Sequence, residues 1–171
     1  MGNELRGDDA LGLAVASELR KQLANRQTSG AVDPVPREQD TAGRPGANKP
    51  EILVLSAGPA PEAYTSELRH FGAQQVFFVD AFDHGLEAGT ISWIDETQID
   101  GASFSTHSMP LSLMAAFLRS DLGCEVGFLG IQAAGSAIGA PLSAPVASAV
   151  QEVTSTLAGE LHLFFAPFVL S

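Results

Sequence analysis

The run Val-Phe-Phe-Val-Asp at residues 76–80 decides how this chain is read. Four apolar residues, two of them aromatic and two β-branched, follow one another with no polar alternation. That composition describes a strand covered on both faces, as in a parallel sheet. The run stops on a carboxylate, Asp80. Asp83-His84-Gly85 and Glu87-Ala88-Gly89 follow as turn formers. Residues 90–95 (TISWID) then alternate, as a half-exposed strand does. The intervening loop is too short for a parallel crossover, so this second strand is expected to run antiparallel to its neighbour.

Working outward, residues 51–56 (EILVLS) and 125–131 (EVGFLGI) are two more buried strands. Helical patterns separate them. Leu11, Val15, Leu19 and Leu23 recur every four residues within 10–24 and stack on one face. Asp8 and Asp9 precede that helix, where carboxylates satisfy free N–H groups. A second helix is expected from about Pro61 to Phe71. A third starts at Pro110, which suits a first helical turn, and runs to about Leu122. A fourth spans 143–161. Strands alternating with helices predict a three-layer α/β/α sandwich with a mostly parallel, twisted sheet and one antiparallel edge strand. At 171 residues a single domain over 1–161 is the natural prior. Pro34, Pro36, Pro45 and Pro50 mark 25–50 as a linker or surface loop, with 28–50 read as an insertion. Residues 162–171 form an apolar C-terminal tail, expected to pack on the body or in an interface.

The charge balance narrows the function classes. Nine basic residues against 20 acidic ones leave a formal charge of -11. An acidic chain without a basic cluster argues against nucleic acid and anionic membrane surfaces, and suits a cationic target such as a metal. The single Cys124 fits a reducing compartment. The first ten residues are polar and charged, unlike a signal peptide, and no apolar run approaches the roughly 20 residues of a membrane span. A cytoplasmic domain is expected.

No phosphate-binding glycine loop, no C-x-x-C and no nucleophile elbow is present. What remains is a set of metal-type ligands at loop and strand-end positions: Asp9 before the first helix, Asp80 at a strand end, His107 in the loop before the third helix. In an open α/β sheet, ligands collect at the carboxyl ends of the strands, and topology can bring these three there. Two carboxylates and an imidazole suit a divalent metal such as nickel or zinc and leave positions open for substrate. Each residue alone has an ordinary explanation: Asp8 and Asp9 as helix caps, Asp80 as a turn former, His107 as a loop residue, Asp83 and His84 as exposed turn residues.

Four segments in order go further. GNELRGDDALGLAV, FFVDAFDHGLEAGTISWID, STHSMPLS and FLGIQ resemble the G-N-x-x-x-G-D-D/E-x-x-G, VDA, T-H-x-M/L-P-L and G-I-Q-P segments of hydrogenase maturation endopeptidases. They fit best the branch serving hydrogenase-3-type large subunits. The resemblance covers nearly the whole chain. It implies that Asp9, Asp80 and His107 are both metal ligands and catalytic residues. It implies no permanently bound cofactor. Nickel would arrive already seated in the substrate, the precursor of a [NiFe]-hydrogenase large subunit, and the enzyme would remove its C-terminal extension. A monomer is expected, without nucleic-acid or membrane partners.

Two departures from the pattern stand out. Ala133 replaces the proline of G-I-Q-P. The family pattern also places an apolar strand directly before G-N, where Met1 stands here. The first strand is therefore expected to be missing, through truncation or a misassigned start, leaving a gap in the sheet. An inactive truncated relative and a small α/β ligand-binding module are the alternatives.

Overall fold

The computed structural model describes residues 7–29, 52–99, 109–160 and 168–170. Five strands form one sheet: β1 (Ile52–Val54), β2 (Gln75–Phe82), β3 (Ile91–Trp93), β4 (Glu125–Gln132) and β5 (Phe168–Leu170). Their spatial order is β1-β5-β2-β4-β3. β2 and β4 pair in parallel over their full lengths, from Gln75 opposite Glu125 to Phe82 opposite Gln132. The helices are α1 (Leu11–Ser29), entered through a 3-10 turn at Gly7–Ala10, α2 (Thr65–Phe71), α3 (Leu111–Leu122) and α4 (Ala144–Glu160).

Strand alternation sorts the core into two layers. Phe78 and Phe82 face one way and pack with Leu68 of α2 and Leu111, Met114 and Leu118 of α3. Phe78 stacks on Phe128, with ring centroids 5.2 Å apart. Val79 and Ala81 face the other way, against Leu11, Val15 and Leu19 of α1 and Val146, Ala149 and Val153 of α4. The helices thus cover both faces, which is why the strands read as unbroken apolar runs. The three-layer α/β architecture expected from the sequence is the one observed.

Three details differ. β3 is the antiparallel edge strand, but it pairs with β4, Ile91 opposite Ile131 and Trp93 opposite Leu129. β4 pairs with β2 along the full length of both strands, and β3 adds at the outer edge of β4. β2 also runs past Asp80 to Phe82, since Ala81 and Phe82 continue the ladder with Ile131 and Gln132 and are buried. Asp80 therefore sits two residues inside the strand. Finally, the place beside the first three residues of β2, Gln75–Phe77, is taken by the tail. Phe168–Leu170 of the tail lies there, parallel to both β1 and β2. Most of the expected insertion, from residue 30 onward, lies outside the described residues; residues 28 and 29 still belong to α1.

Candidate functional site

Asp80 is 1% exposed and Asp9 3% exposed. Asp80 follows the alternation of Phe78 and Phe82, so it lies on the sheet face that α3 covers. Asp9 belongs to the 3-10 turn, which packs against β2. His107 lies outside the described residues. The segment that carries it leads into α3, on the same face as Asp80. Among the described residues no three His, Cys, Asp or Glu side chains form a metal-type cluster. Two members of the expected triad are thus buried toward the carboxyl edge of β2.

The loops at that edge are tied to one another by two side chains whose roles the sequence reading missed. Asp8, 2% exposed, is not a simple helix cap. One of its carboxylate oxygens accepts from the Ser143 N–H at 2.7 Å. The other accepts from Ala134 N–H at 2.9 Å, Gly135 N–H at 3.3 Å and the Ser143 hydroxyl at 3.0 Å. Its own N–H donates to the Gly135 carbonyl at 3.2 Å. Asp8 thereby fastens the turn carrying Asp9 to both ends of the loop between β4 and α4. Hydrogen bonds to an ionised acceptor are the strong kind, and a buried carboxylate needs them. Gly7 makes the turn with φ +55, and a Cβ there would sit 3.4 Å from the carbonyls of Gly135 and Ala137.

Gln132 organises the loop after β2. Its Oε1 accepts from His84 N–H at 2.9 Å and Leu86 N–H at 3.3 Å. Its Nε2 donates to Asp83 Oδ1 at 3.3 Å and to the Ala133 carbonyl at 3.0 Å. Its backbone closes the same loop, donating to Thr90 O at 2.9 Å and accepting from Gly89 N at 2.8 Å. Both functional ends of the amide are used, so the side chain is fixed in one orientation. Gly89 then meets the start of α4: an added Cβ would lie 2.7 Å from the Pro145 carbonyl oxygen. His84, expected to be an exposed turn residue, is half-buried, and its ring lies parallel to Phe82 at 5.7 Å. Ala133 donates its N–H to Phe82 O at 3.1 Å, a bond that a proline at this position would lose. The signals for Asp8 and Gln132 were present only as motif letters. Their partners are 126 to 135 and 46 to 49 residues away in sequence.

Among the described residues, the opposite edge of the sheet offers no comparable chemistry. Cys124 precedes β4 there and is buried, and burial raises its thiol above the ordinary range, away from the nucleophilic thiolate. A cleft of about 320 Å³ at the same edge is bordered by Arg69 and Asp121, which pair with each other.

Residues 43–160 match the family model described as hydrogenase maturation protease. The hydrogenase 3 maturation protease of Escherichia coli K12 is 36% identical over 114 residues, 66% of this chain and 72% of the relative. The solution structure of the endopeptidase HycI from Escherichia coli superposes with a TM-score of 0.68 at 30% identity, covering 94% of this chain and 86% of that one. The crystal structure of the [NiFe] hydrogenase maturation protease HycI from Thermococcus kodakarensis gives a TM-score of 0.70 at 26% identity, over 94% and 87%.

Proposed function

Because the chain belongs to the hydrogenase maturation protease family, we propose that it removes the C-terminal extension from the precursor of a [NiFe]-hydrogenase large subunit. In this reading it recognises nickel already seated in that precursor. The observation that carries the proposal is the pair of buried carboxylates, Asp9 in the G-D-D turn and Asp80 in the VDA strand. The 36% identity to a hydrogenase 3 maturation protease supports the hydrogenase-3-type branch.

Asp9, Asp80 and His107 would complete the coordination of the substrate's nickel and so hold the scissile segment against this edge. Nickel would supply Lewis-acid chemistry beside the scissile peptide bond. The chain's part is positioning, which decides whether a reacting carbonyl and its attacking water meet in line. Asp8 and Gln132 keep the surrounding loops from drifting. Leu86 and Ile138, 49% and 79% exposed on those loops, offer an apolar rim to the precursor. Among the described residues no helix is long and apolar enough to cross a membrane. A cytoplasmic monomer that keeps no metal of its own completes the proposal.

The test is processing of a precursor large subunit from the same genome, loaded with nickel or free of it, followed by gel mobility and mass. Cleavage of the loaded form alone is expected, with Asp80→Asn and His107→Ala abolishing it. A folded protein that leaves the loaded precursor intact, or cuts the nickel-free form equally well, would overturn the reading.

A further inference from the structure

The turn after β2 carries a side chain that the site described above leaves without a task. Phe78, Asp80 and Phe82 lie on one face of the sheet. Opposite Asp80 stands Gly130, and the Phe82 ring leans into the space that its missing side chain leaves: an added Cβ there would lie 2.8 Å from Phe82 Cδ2. Phe82 thus walls the place beside Asp80. The His84 ring stacks on that wall, 3° from parallel and 5.7 Å between centroids. His84 is therefore the next polar side chain beyond Asp80 along the same face. Its Nε2 is covered from solvent and has no hydrogen-bond partner among the described residues.

We infer that His84 is a substrate-binding residue whose Nε2 pairs with a backbone N–H or C=O of the precursor segment beside the scissile bond, an assignment that rests on the proteolytic reading. An orphaned buried nitrogen is disfavoured in a folded chain, and such groups persist where function needs them. A trapped water needs about two to four polar partners, whereas the ring's neighbour here is the apolar Phe82. The turn is set before substrate arrives. His84 N–H donates to Gln132 Oε1 at 2.9 Å, and Asp83 Oδ1 accepts from Gly85 N–H at 3.2 Å and from Gln132 Nε2 at 3.3 Å. A turn already ordered adds little cost on binding. Around the half-buried ring, Asp83, Gly85, Leu86 and Glu87 are exposed, so a polypeptide laid on this turn comes within reach of it. A neutral imidazole nitrogen either donates or accepts, and a peptide backbone offers both kinds of group. Phe82 comes between Asp80 and His84 in the row, which favours the peptide over the nickel as the partner of the ring.

Processing kinetics with the nickel-loaded precursor test this, read beside thermal unfolding of each variant. His84→Phe keeps an aromatic ring to stack on Phe82 and removes the nitrogens. KM is expected to rise about tenfold at unchanged kcat, the mark of a contact made equally in bound substrate and transition state. The unfolding midpoint should hold or rise, because a buried polar atom without a partner is gone. His84→Gln places an amide nitrogen near the Nε2 position and should recover part of the loss in KM. An unchanged KM in His84→Phe would overturn the inference. So would a fall in kcat at constant KM, or a midpoint that drops together with processing, which is the behaviour of a structural residue. A wild-type chain that leaves the precursor intact overturns the proteolytic reading and the role of His84 together. Wild-type cutting that His84→Phe matches overturns the role of His84 alone.

Discussion

Asp80 and Asp8 are both buried acids, yet they should fail differently when altered. Asp80→Asn keeps the size of a side chain whose backbone pairs with Gly130 of β4 inside the sheet. It should abolish precursor processing while shifting the unfolding midpoint by only a few degrees, by roughly 2–4 °C per kcal/mol for a chain of this size. Asp8→Asn exchanges an acceptor-only group for one that carries an amide donor, facing the N–H groups of Ala134, Gly135 and Ser143. A loss of about 3 kcal/mol is expected from the disrupted charge-assisted bonds, read by urea titration as a lower midpoint at unchanged slope. Cys124 provides a pH signature. Its folded thiol is raised by burial above the ordinary value near 9.0. The unfolded chain therefore ionises first as pH rises. The contribution of this thiol is complete below about pH 9 and declines above it. Replacing Cys124 with Ala should flatten the alkaline side of the stability profile, and a thiol reagent at pH 8 should label the native protein far more slowly than the unfolded one.

At the scale of elements, the site depends on loops that are short but held at both ends. Gln132 connects β4 to the β2–β3 loop by three side-chain hydrogen bonds. Gln132→Ala would leave the N–H groups of His84 and Leu86 searching for water, at about 2–3 kcal/mol, and should raise exchange at those amides before any other. Gly89→Ala is expected to be worse than an ordinary turn substitution. The residue has φ +85, and its new methyl would press on the Pro145 carbonyl at 2.7 Å, so the β2–β3 loop or α4 has to move. A fall in the thermal midpoint together with reduced processing would show that this packing holds the edge in shape. Loss of processing without a change in stability would place the effect in the substrate contact instead.

The described residues form a sheet with helices on both faces, and apart from the buried Asp8, Asp9 and Asp80 the acidic residues whose exposure is described are partly or fully exposed. The two layers of core are separate, one gathered by α2 and α3 and the other by α1 and α4. β2 is common to both, because its odd and even residues serve opposite layers. Damage to the β5 slot is therefore expected to propagate to both helical layers at once, and to appear as one cooperative unfolding transition, not as local fraying.

The sequence by itself determined the class of fold. Continuous apolar runs such as VFFVD and EVGFLGI, set between four-residue helical repeats, admit little besides a covered parallel sheet, and local pattern suffices to read them. It also singled out Asp9 and Asp80, since they sit within short motifs. It could not show that Asp80 lies inside its strand, because a strand's end is set by its neighbour, here Ile131 and Gln132 of β4. It could not show what Asp8 and Gln132 hold, because their partners are brought in only by the crossover connections. Above all it could not say which segment fills the place beside β2. Three apolar residues near position 169 carry no address in their own composition. Pairing with two strands 93 to 116 residues upstream, as the offsets Val76 to Val169 and Leu53 to Val169 require, is a property of the folded chain alone.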